Sequence, residues 1–406
     1  MTGKPPSAPI DVFFWVQHLL GIGHLTRSAT LVRAMRRAGL EVTLASGGMP
    51  VAALELEGAE LLQLEPLQCT GADFSTLLDA SGQPVDEAFK ARRRDALVAA
   101  FQARRPRLLM IEMFPFGRRQ MRFELLPLLD AAEAARPRPA IVGSVRDILV
   151  RAPAGKRLAQ MLEWASRFDR LLAHGDPELV AFSQTFPARD RLGGKLVETG
   201  YVVEPAAAAP AVGDGAGEIV VSTGGGRVGE RLLETALEAC ARLAGDAAGA
   251  GEAPTPWRLL VGQHLPEAAF QAIVARAGNL TEARIVVERA RPDFRALLGR
   301  AALSISQGGY NTVMEVLAAG CPSIVVPYAE GLEGEQSLRC RLLAERGLLA
   351  VIEEPVLDAA SLADAVRQSL ATPDAAPGGR PRMDGATHTV RLLKELLAQP
   401  ESGNRA

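Results

Sequence analysis

Cysteine is scarce: four among 406 residues, at positions 69, 240, 321 and 340, with no Cys-x-x-Cys spacing and no paired histidines nearby. That excludes a zinc finger and a disulfide framework, and it predicts a reducing compartment. Aromatic residues make up 5%, too few for base-stacking platforms or an aromatic-lined carbohydrate module. Neither charge sign is in excess, with 45 basic against 47 acidic residues and a net charge of −2. No global field therefore draws the chain to nucleic acid or an acidic polymer. Lysine is nearly missing, at positions 4, 90, 156, 195 and 394 only. Beside the many alanines, this arginine-for-lysine skew reads as GC-rich coding, not as a phosphate-binding surface. No hydrophobic run approaches the ~18–20 residues of a membrane span, and the polar, proline-rich start MTGKPPSAP lacks the apolar region of a signal peptide. The expectation is a soluble, cytoplasmic protein, at most peripheral at the inner face of the membrane.

What is present is the composition of a globular chain, 48% hydrophobic and 23% charged, long enough for two large domains or three small ones. Short β-type runs alternate with stretches of 3.6-residue period. Strands are predicted at 10–16, 41–45, 108–112, 140–144, 170–173 and 195–199, with a helix over 25–38 ended by Gly39. The stretch 204–217, EPAAAAPAVGDGAG, has no periodicity and reads as a linker. The alternation then restarts, with strands at 218–222, 257–261, 284–287, 302–305, 322–326 and 349–352. Helices are predicted at 227–243, 267–277, 311–319, 334–346 and 359–371. Residues 245–256 read as a surface loop, 372–382 as a flexible stretch and 385–398 as a final amphipathic helix. The expected fold class is α/β: two doubly wound, parallel-sheet Rossmann-like domains, 1–203 and 218–375, followed by a flexible stretch and helix over 376–406. Ligands of such sheets bind at the carboxyl ends of the strands near the switch point, so a cleft between the halves is the expected active site.

The first strand runs into Gln17-His18-Leu19-Leu20-Gly21-Ile22-Gly23-His24. Glycines between strand and helix allow close backbone approach, and a helix start offers N–H groups to an anion. A nicotinamide dinucleotide site is excluded on two counts. Gly21 and Gly23 are followed by Thr26 where the fingerprint wants a third small residue, and the second strand ends in Ser46-Gly47-Gly48 with no acid for a ribose. Two readings of His24 stand side by side: a general base or substrate ligand at a strand's carboxyl edge, or a capping or packed histidine. Arg27, one turn on, is either a phosphate contact or a surface residue.

The richest segment is GGYNTVMEVLAAGCPSIVVPY at 308–328, followed by a loop ending Glu333-Gly334-Glu335-Gln336. Gly308 and Gly309 make a tight turn after a strand, and Asn311 or Thr312 is placed to cap the next helix. That helix start suits a diphosphate. Glu315 lies one turn in, on an apolar background, where a carboxylate accepts hydrogen bonds from ribose hydroxyls. No Asp-x-Asp, a common divalent-metal pair, occurs anywhere in the chain.

In its order of Gly, Thr312, Glu315, Gly320, Pro322 and Pro327 plus Gln336, this segment resembles the nucleotide-sugar motif of GT-B glycosyltransferases of family 28. The resemblance implies two Rossmann-like domains about a central cleft, and a metal-independent, inverting transfer of a hexosyl group from a nucleoside-diphosphate sugar, UDP-linked, to an acceptor hydroxyl in cell-envelope polysaccharide synthesis. Residues 218–375 then bind the donor and 1–203 the acceptor. The resemblance implies a ribose role for Glu315, a donor-sugar role for Gln336 with Glu335 beside it, and a phosphate-turn role for Gly308, Gly309, Asn311 and Thr312. More loosely, Gly21-x-Gly23-His24 resembles the family's Gly-Gly-His turn, and the run from Ser222 and Thr223 through Gly225 to Arg227 resembles its second glycine turn. Gly23, Thr223, Gly225 and Arg227 join the donor set on that basis. The motifs span some 50 residues; most of 66–130 has no counterpart, so the acceptor, whether lipid-linked or a glycan, does not carry over. Neither a cofactor nor a nucleic acid is expected.

Three strand ends in the first half carry polar groups: Glu112, Ser144 to Asp147 with Arg146, and His174 with Asp176. Each is either acceptor-binding or part of a hydrogen-bonded loop. Glu112, an acid closing the apolar run 108–111, joins His24 as the catalytic candidate. Phe114, Phe116 and Phe123 interleaved with Arg118, Arg119 and Arg122 read either as a membrane-surface patch or as a solvated helix face with its apolar side in the core. Arg92-Arg93-Arg94 reads as a solvated face. Two further functions share these features: a UDP-sugar 2-epimerase of the same fold, with Glu112, Glu330 and Glu333 as possible proton-abstracting acids, and a non-catalytic nucleotide-sugar-binding protein.

Overall fold

The computed structural model describes residues 9–19, 21–52, 54–69, 76–149, 153–204, 213–224, 229–263, 265–328, 334–372 and 381–399. The chain divides into two compact units, one formed by 1–202 with 381–406 and the other by 203–380. Each is a doubly wound α/β layer structure of the Rossmann type, as expected from the sequence.

Unit 1 has strands β1 (Val12–Val16), β2 (Val42–Ser46), β3 (Glu60–Gln63), β4 (Leu108–Glu112), β5 (Ala140–Arg146), β6 (Arg170–His174) and β7 (Leu196–Glu198). They are ordered β3-β2-β1-β4-β5-β6-β7, every neighbouring pair parallel. The chain winds outward from β1 in one direction, then returns to β4 and winds in the other, so the switch point lies between β1 and β4. Helices α1 (Gly23–Arg37), α2 (Glu87–Arg104), α3 (Arg122–Ala134) and α4 (Gly155–Ser166) cover the faces. Alternation along β1 shows why the strand reads as a continuous apolar run: Phe13 and Trp15 enter one core, while Val12, Phe14 and Val16 enter the other. Each such fully buried large side chain contributes about 1.5–3 kcal/mol. Leu25, Ala29 and Val32 of α1 pack in the second core, as does Met110 of β4. By the two-residue period of a strand, Glu112 shares that face.

Unit 2 has β8 (Ile219–Ser222), β9 (Trp257–Val261), β10 (Ile285–Arg289), β11 (Leu303–Gln307), β12 (Ser323–Val326) and β13 (Ala350–Val351). Their parallel order is β10-β9-β8-β11-β12-β13, which puts the switch point between β8 and β11. Its helices are α5 (Glu230–Ala250), α6 (Glu267–Gly278), α7 (Phe294–Leu298), α8 (Tyr310–Ala319), α9 (Gly334–Glu345) and α10 (Ala359–Ala371). The surface loop expected at 245–256 begins later than its composition suggested. Helix α5 continues through Gly245 and Gly249 to Ala250, where Gly251 at φ +74° closes it. The final helix, α11 (Gly385–Ala398), belongs to unit 1 and packs on α1 and the same core. It is pinned there by Tyr201 N–H to Arg382 O at 2.7 Å, Gly385 N–H to Tyr201 O at 3.0 Å and Arg382 N–H to Asp176 Oδ2 at 2.9 Å.

Two expectations are corrected in unit 1. Arg93 is not on a solvated face. Its side chain is fully buried and donates to both Glu124 oxygens (Nε to Oε2 2.6 Å, Nη2 to Oε1 3.1 Å), to Gln17 Oε1 at 2.8 Å and to the carbonyls of Gly47 and Glu65. Trp15 Nε1–H adds a bond to Glu124 Oε1 at 3.1 Å. The membrane-surface reading of the aromatic patch is also corrected for Phe114 and Phe116, while Phe123 is half-buried. Phe114 is buried and stacks on Trp164 at 5.1 Å, and Phe116 is buried edge-on against Phe182 and Phe186. No helix among the described residues is long and apolar enough to cross a membrane.

Candidate active site

His24 is the second residue of α1, directly after the glycine turn that follows β1, and Arg27 follows it by one helical turn on the same face. Glu112 is the last residue of β4, the neighbour of β1 across the switch point. These three side chains meet. His24 Nδ1 lies 2.7 Å from Glu112 Oε1, and Arg27 Nη2–H donates to the same oxygen. Glu112 is fully buried, Arg27 nearly so, and His24 keeps 21% of its side chain exposed. Arg27 is thus not a surface residue: it supplies the counter-charge that a buried carboxylate needs.

The electrostatics fix the protonation pattern. Burial alone raises the Glu112 carboxyl, but the adjoining His24 and the Arg27 and Arg118 guanidiniums outweigh it and hold the group down at about 2. Burial is the main influence on His24 as well, lowering the imidazole to about 3 despite the partial counter-effect of Glu112. At neutral pH the pair is therefore an ionised carboxylate and a neutral imidazole. The carboxylate accepts from Nδ1–H, which leaves the Nε2 lone pair as the available base. Glu112 Oε2 has no hydrogen-bond partner among the described residues.

The other strand ends of this sheet are structural. His174 at the end of β6 bonds Ser144 Oγ of β5 at 2.8 Å through Nε2 and Thr199 Oγ1 at 2.9 Å through Nδ1, and burial lowers its imidazole to about 3. Asp147 accepts from Ile148 N–H at 2.9 Å, and Asp176 from the backbone of Glu178 at 3.0 Å and of Arg382. The loop after β4 holds two non-glycine residues in the left-handed region, Met113 at φ +64° and Arg118 at φ +57°. Strain of this kind, about 1 kcal/mol or more per residue, collects at functional positions. It brings Arg118 back within electrostatic reach of Glu112, His24 and His18. Two residues further on, Gln120 and Arg122 line a hollow of about 530 Å³ with Thr76, Val85 and Lys90.

In unit 2 the two glycine turns adjoin, because β8 and β11 are neighbours. Gly224 after β8 adopts φ +68°, and a Cβ there would sit 3.7 Å from Thr312 Oγ1 in the first turn of α8. Thr223 Oγ1 accepts from Gly262 N–H at 3.1 Å and so is committed to the turn. Gly225 and Arg227 lie outside the described residues. Gly308 is required by close approach: a Cβ there would meet Cys340 Sγ at 2.9 Å and the Pro327 Cα at 3.1 Å. The expected cap is corrected: Gly309 is the N-cap of α8, no side chain caps it, and Asn311 and Thr312 stand inside the first turn. An uncapped first turn presents backbone N–H groups and the positive dipole end.

Glu315 lies on α8 with 28% of its side chain exposed, and burial raises its carboxyl to about 7, with Arg295 Nε at 4.0 Å pulling the other way. Glu335 is buried in the first turn of α9, while Gln336 Oε1 accepts from Tyr328 N–H at 3.4 Å at the end of β12. Arg339, one turn beyond Glu335, stacks over the Tyr310 ring at 5.1 Å and so ties α9 to the α8 start. Glu330 and Glu333 lie outside the described residues. Among the described residues no three His, Cys, Asp or Glu side chains cluster as metal ligands do.

Sequence reasoning named His24 and Glu112 separately but missed Arg27 as the third member and Arg118 as their neighbour. The His24-x-x-Arg27 spacing was the available sign, since it places both on one helix face.

Residues 220–396 match the glycosyltransferase family 28 C-terminal domain. The UDP-N-acetylglucosamine–N-acetylmuramyl-(pentapeptide) pyrophosphoryl-undecaprenol N-acetylglucosamine transferase of Rhizobium meliloti is 31% identical over 225 residues, 52% of this chain and 56% of that protein. The chain thus spans about half the length of this curated relative. Among solved structures, Acinetobacter baumannii MurG aligns over 95% of this chain and 100% of its own, with a TM-score of 0.57 at 15% identity. A candidate UDP-N-acetylglucosamine 2-epimerase of Listeria monocytogenes aligns over 98% of both chains, with a TM-score of 0.61 at 14% identity. Likeness at such identities establishes the fold. The chain has the GT-B fold, is similar to MurG, and over residues 220–396 matches the glycosyltransferase family 28 C-terminal domain.

Proposed function

We propose that this protein transfers a hexosyl group from a nucleoside-diphosphate sugar, UDP-linked as in the named relative, to an acceptor hydroxyl, without a metal ion and with inversion at the anomeric carbon. The observation that carries the reading is the His24–Glu112 contact at the switch point of unit 1. A neutral imidazole, oriented through Nδ1 by an ionised carboxylate, is the group that deprotonates a hydroxyl. The acceptor O–H gives its proton to His24 Nε2, and the acceptor oxygen bonds to the anomeric carbon. The bond from that carbon to the diphosphate oxygen breaks on the opposite face, and the nucleoside diphosphate leaves with the electron pair. Glu112 and Arg27 act through His24 as positioning residues.

On the donor side, the uncapped start of α8 and the Gly224 and Gly308 turns offer the diphosphate backbone donors in place of a cation. Glu315 takes the ribose hydroxyls, with Gln336 and Glu335 toward the sugar. Gly309, Asn311, Thr312, Thr223 and, in unit 1, Gly23 complete the donor set. The named relative's acceptor is a pyrophosphoryl-undecaprenol-linked sugar, and a lipid-linked acceptor with peripheral membrane association is the corresponding proposal here. Its hydroxyl would be presented to His24 from the hollow beside Gln120 and Arg122.

A thermal-shift panel of nucleotide sugars, followed by product analysis with and without acceptors, tests the reading. UDP-sugars should raise the melting temperature by mass action, and a new glycoside should form only when acceptor is present. Conversion of donor alone into an epimeric UDP-sugar would replace the transferase by an epimerase. Tight donor binding with no turnover against a broad acceptor panel would make the chain a nucleotide-sugar-binding protein.

A further inference from the structure

Most buried charges of unit 1 have a matched partner: Arg93 has Glu124, Arg27 has Glu112, and the exposed arginines find carboxylates across the surface. Arg118 differs. Its side chain is half-buried, its Nε atom is out of contact with solvent, and among the described residues that atom has no hydrogen-bond partner and no carboxylate forms an ion pair with the guanidinium. The groups within its electrostatic reach are Glu112, already committed to His24 and Arg27, the imidazoles of His18 and His24, the Cys69 thiol, and two further cations, Arg27 and Arg146. Burial and the two neighbouring guanidiniums all oppose its charge. Its charge is offset chiefly by Glu112, a carboxylate it shares with His24 and Arg27. The backbone that carries it is held in the left-handed region, at Arg118 itself and at Met113 five residues before.

We propose that Arg118 binds a phosphate or carboxylate oxygen of the substrate beside the His24 imidazole. The anion supplies an unshared counter-charge, and fixing it there fixes the distance from the anionic group to the hydroxyl that His24 deprotonates. Two parts of the substrate carry such oxygens: the diphosphate that leaves with the nucleotide, and an anionic group on the acceptor. The placement of that anion relative to the reacting hydroxyl rests on the transferase reading. The anion site itself does not.

The test uses the full chain, its Arg118→Met and Arg118→Lys variants, and inorganic pyrophosphate as probe. Five histidines allow the His24 imidazole to be assigned in a ¹H–¹⁵N spectrum by single substitution, which separates this site from the glycine turns of unit 2. Pyrophosphate should move the His24 resonances in the wild type, less in Arg118→Lys, and not in Arg118→Met. The Met variant should melt at or above the wild-type temperature, because it removes a charge offset chiefly by a shared carboxylate. A tenfold or greater weakening of UDP binding in Arg118→Met assigns the site to the leaving diphosphate. Unchanged UDP binding with a raised acceptor KM assigns it to the acceptor. The proposal is overturned if pyrophosphate leaves His24 unmoved in the wild type or moves it equally in Arg118→Met. A Met variant that loses several degrees of melting temperature with pyrophosphate response and KM unchanged overturns it too, since that is the behaviour of a structural residue. If the Met variant does not fold, Arg118→Lys carries the comparison. If the transferase reading fails, the pyrophosphate titration still decides the anion site.

Discussion

Unit 1 buries two glutamates, and they differ in what is left over. Glu124 uses both carboxylate oxygens, taking Arg93 twice and Trp15 once, and no atom of the pair reaches solvent. Glu112 takes both its partners on one oxygen, leaves the other without a partner among the described residues, and is bonded to an imidazole that is 21% exposed. A closed network specifies and rigidifies a core. The Arg93 network does so where it matters, since Arg93 also holds Gln17 and the Gly47 carbonyl, the ends of the two strands beside the histidine turn. An open network with a neutral base at its edge is equipped to exchange a proton. The same chemistry of carboxylate and guanidinium thus closes a scaffold at one site and, on the proposed reading, orients a base at the other.

Breaking the closed network should cost most in stability. Arg93→Met strands the Glu124 carboxylate in the core and should lower unfolding free energy by about 3–5 kcal/mol, read by urea denaturation. The analogous change at the open site, Glu112→Gln, keeps the shape but removes the charge. Its stability loss should be smaller, about 1–3 kcal/mol, while kcat falls about 10²-fold as His24 loses its orienting partner. If the two variants lose equal stability and Glu112→Gln stays active, the contrast between the sites disappears.

Glu315 sharpens the comparison from unit 2, as a carboxylate whose burial is not offset by a close cation. Its pKa of about 7 lies above the unfolded value, so its ionised form costs stability, a cost that is absent at low pH and complete above about pH 7. Glu315→Gln should therefore melt higher than the wild type at pH 8, with the gain vanishing near pH 4.5. Donor binding should show the opposite preference. If the ionised form holds the ribose, wild-type Kd should weaken roughly tenfold from pH 8 to pH 6, and a flat profile would remove Glu315 from the donor site.

A still smaller effect is expected at the open pair. With His24 lowered to about 3 and Glu112 to about 2, both keep their working protonation states throughout the neutral range. At saturating donor, where the Glu315 titration no longer shows, kcat should stay level from pH 8 down to about 5.5, with no acid limb at the ordinary histidine value of about 6.5. A clear limb there would show an imidazole that is solvated and untuned. Treatment with EDTA should change turnover least of all, and restoration by Mg²⁺ after a loss would contradict the metal-independent proposal.

The fold was largely legible because parallel strands buried on both faces write themselves as local apolar runs, as at β1, β4 and β9. Where burial is partial the signal fades: β3, with Glu60 and Gln63 exposed at the sheet edge, left no readable run. Helix α5 was cut short because Gly245 and Gly249 look like loop residues, although they lie on an exposed or half-exposed face that tolerates them. The site was legible as separate residues and not as a constellation. Gly308 follows a strand, Glu112 ends one, His24 opens a helix and Glu315 lies one turn into another, positions that spacing reveals. The pairing of Arg27 with Glu112 across 85 residues, of Arg93 with Glu124 across 31, and of α11 with α1 are tertiary events with no local pattern. Arginine made this harder, because with 40 of them in the chain no single one stands out until its burial is seen.

The central claim is that His24 removes the acceptor proton and has no other essential task. It is tested by measuring UDP release from a UDP-sugar in the presence of acceptor, with donor Kd determined in parallel, for wild type and His24→Ala. The account predicts an unchanged donor Kd and a kcat lower by about 10²–10⁴-fold. Wild-type turnover in His24→Ala, or a loss of activity that is entirely a loss of donor binding, would contradict it.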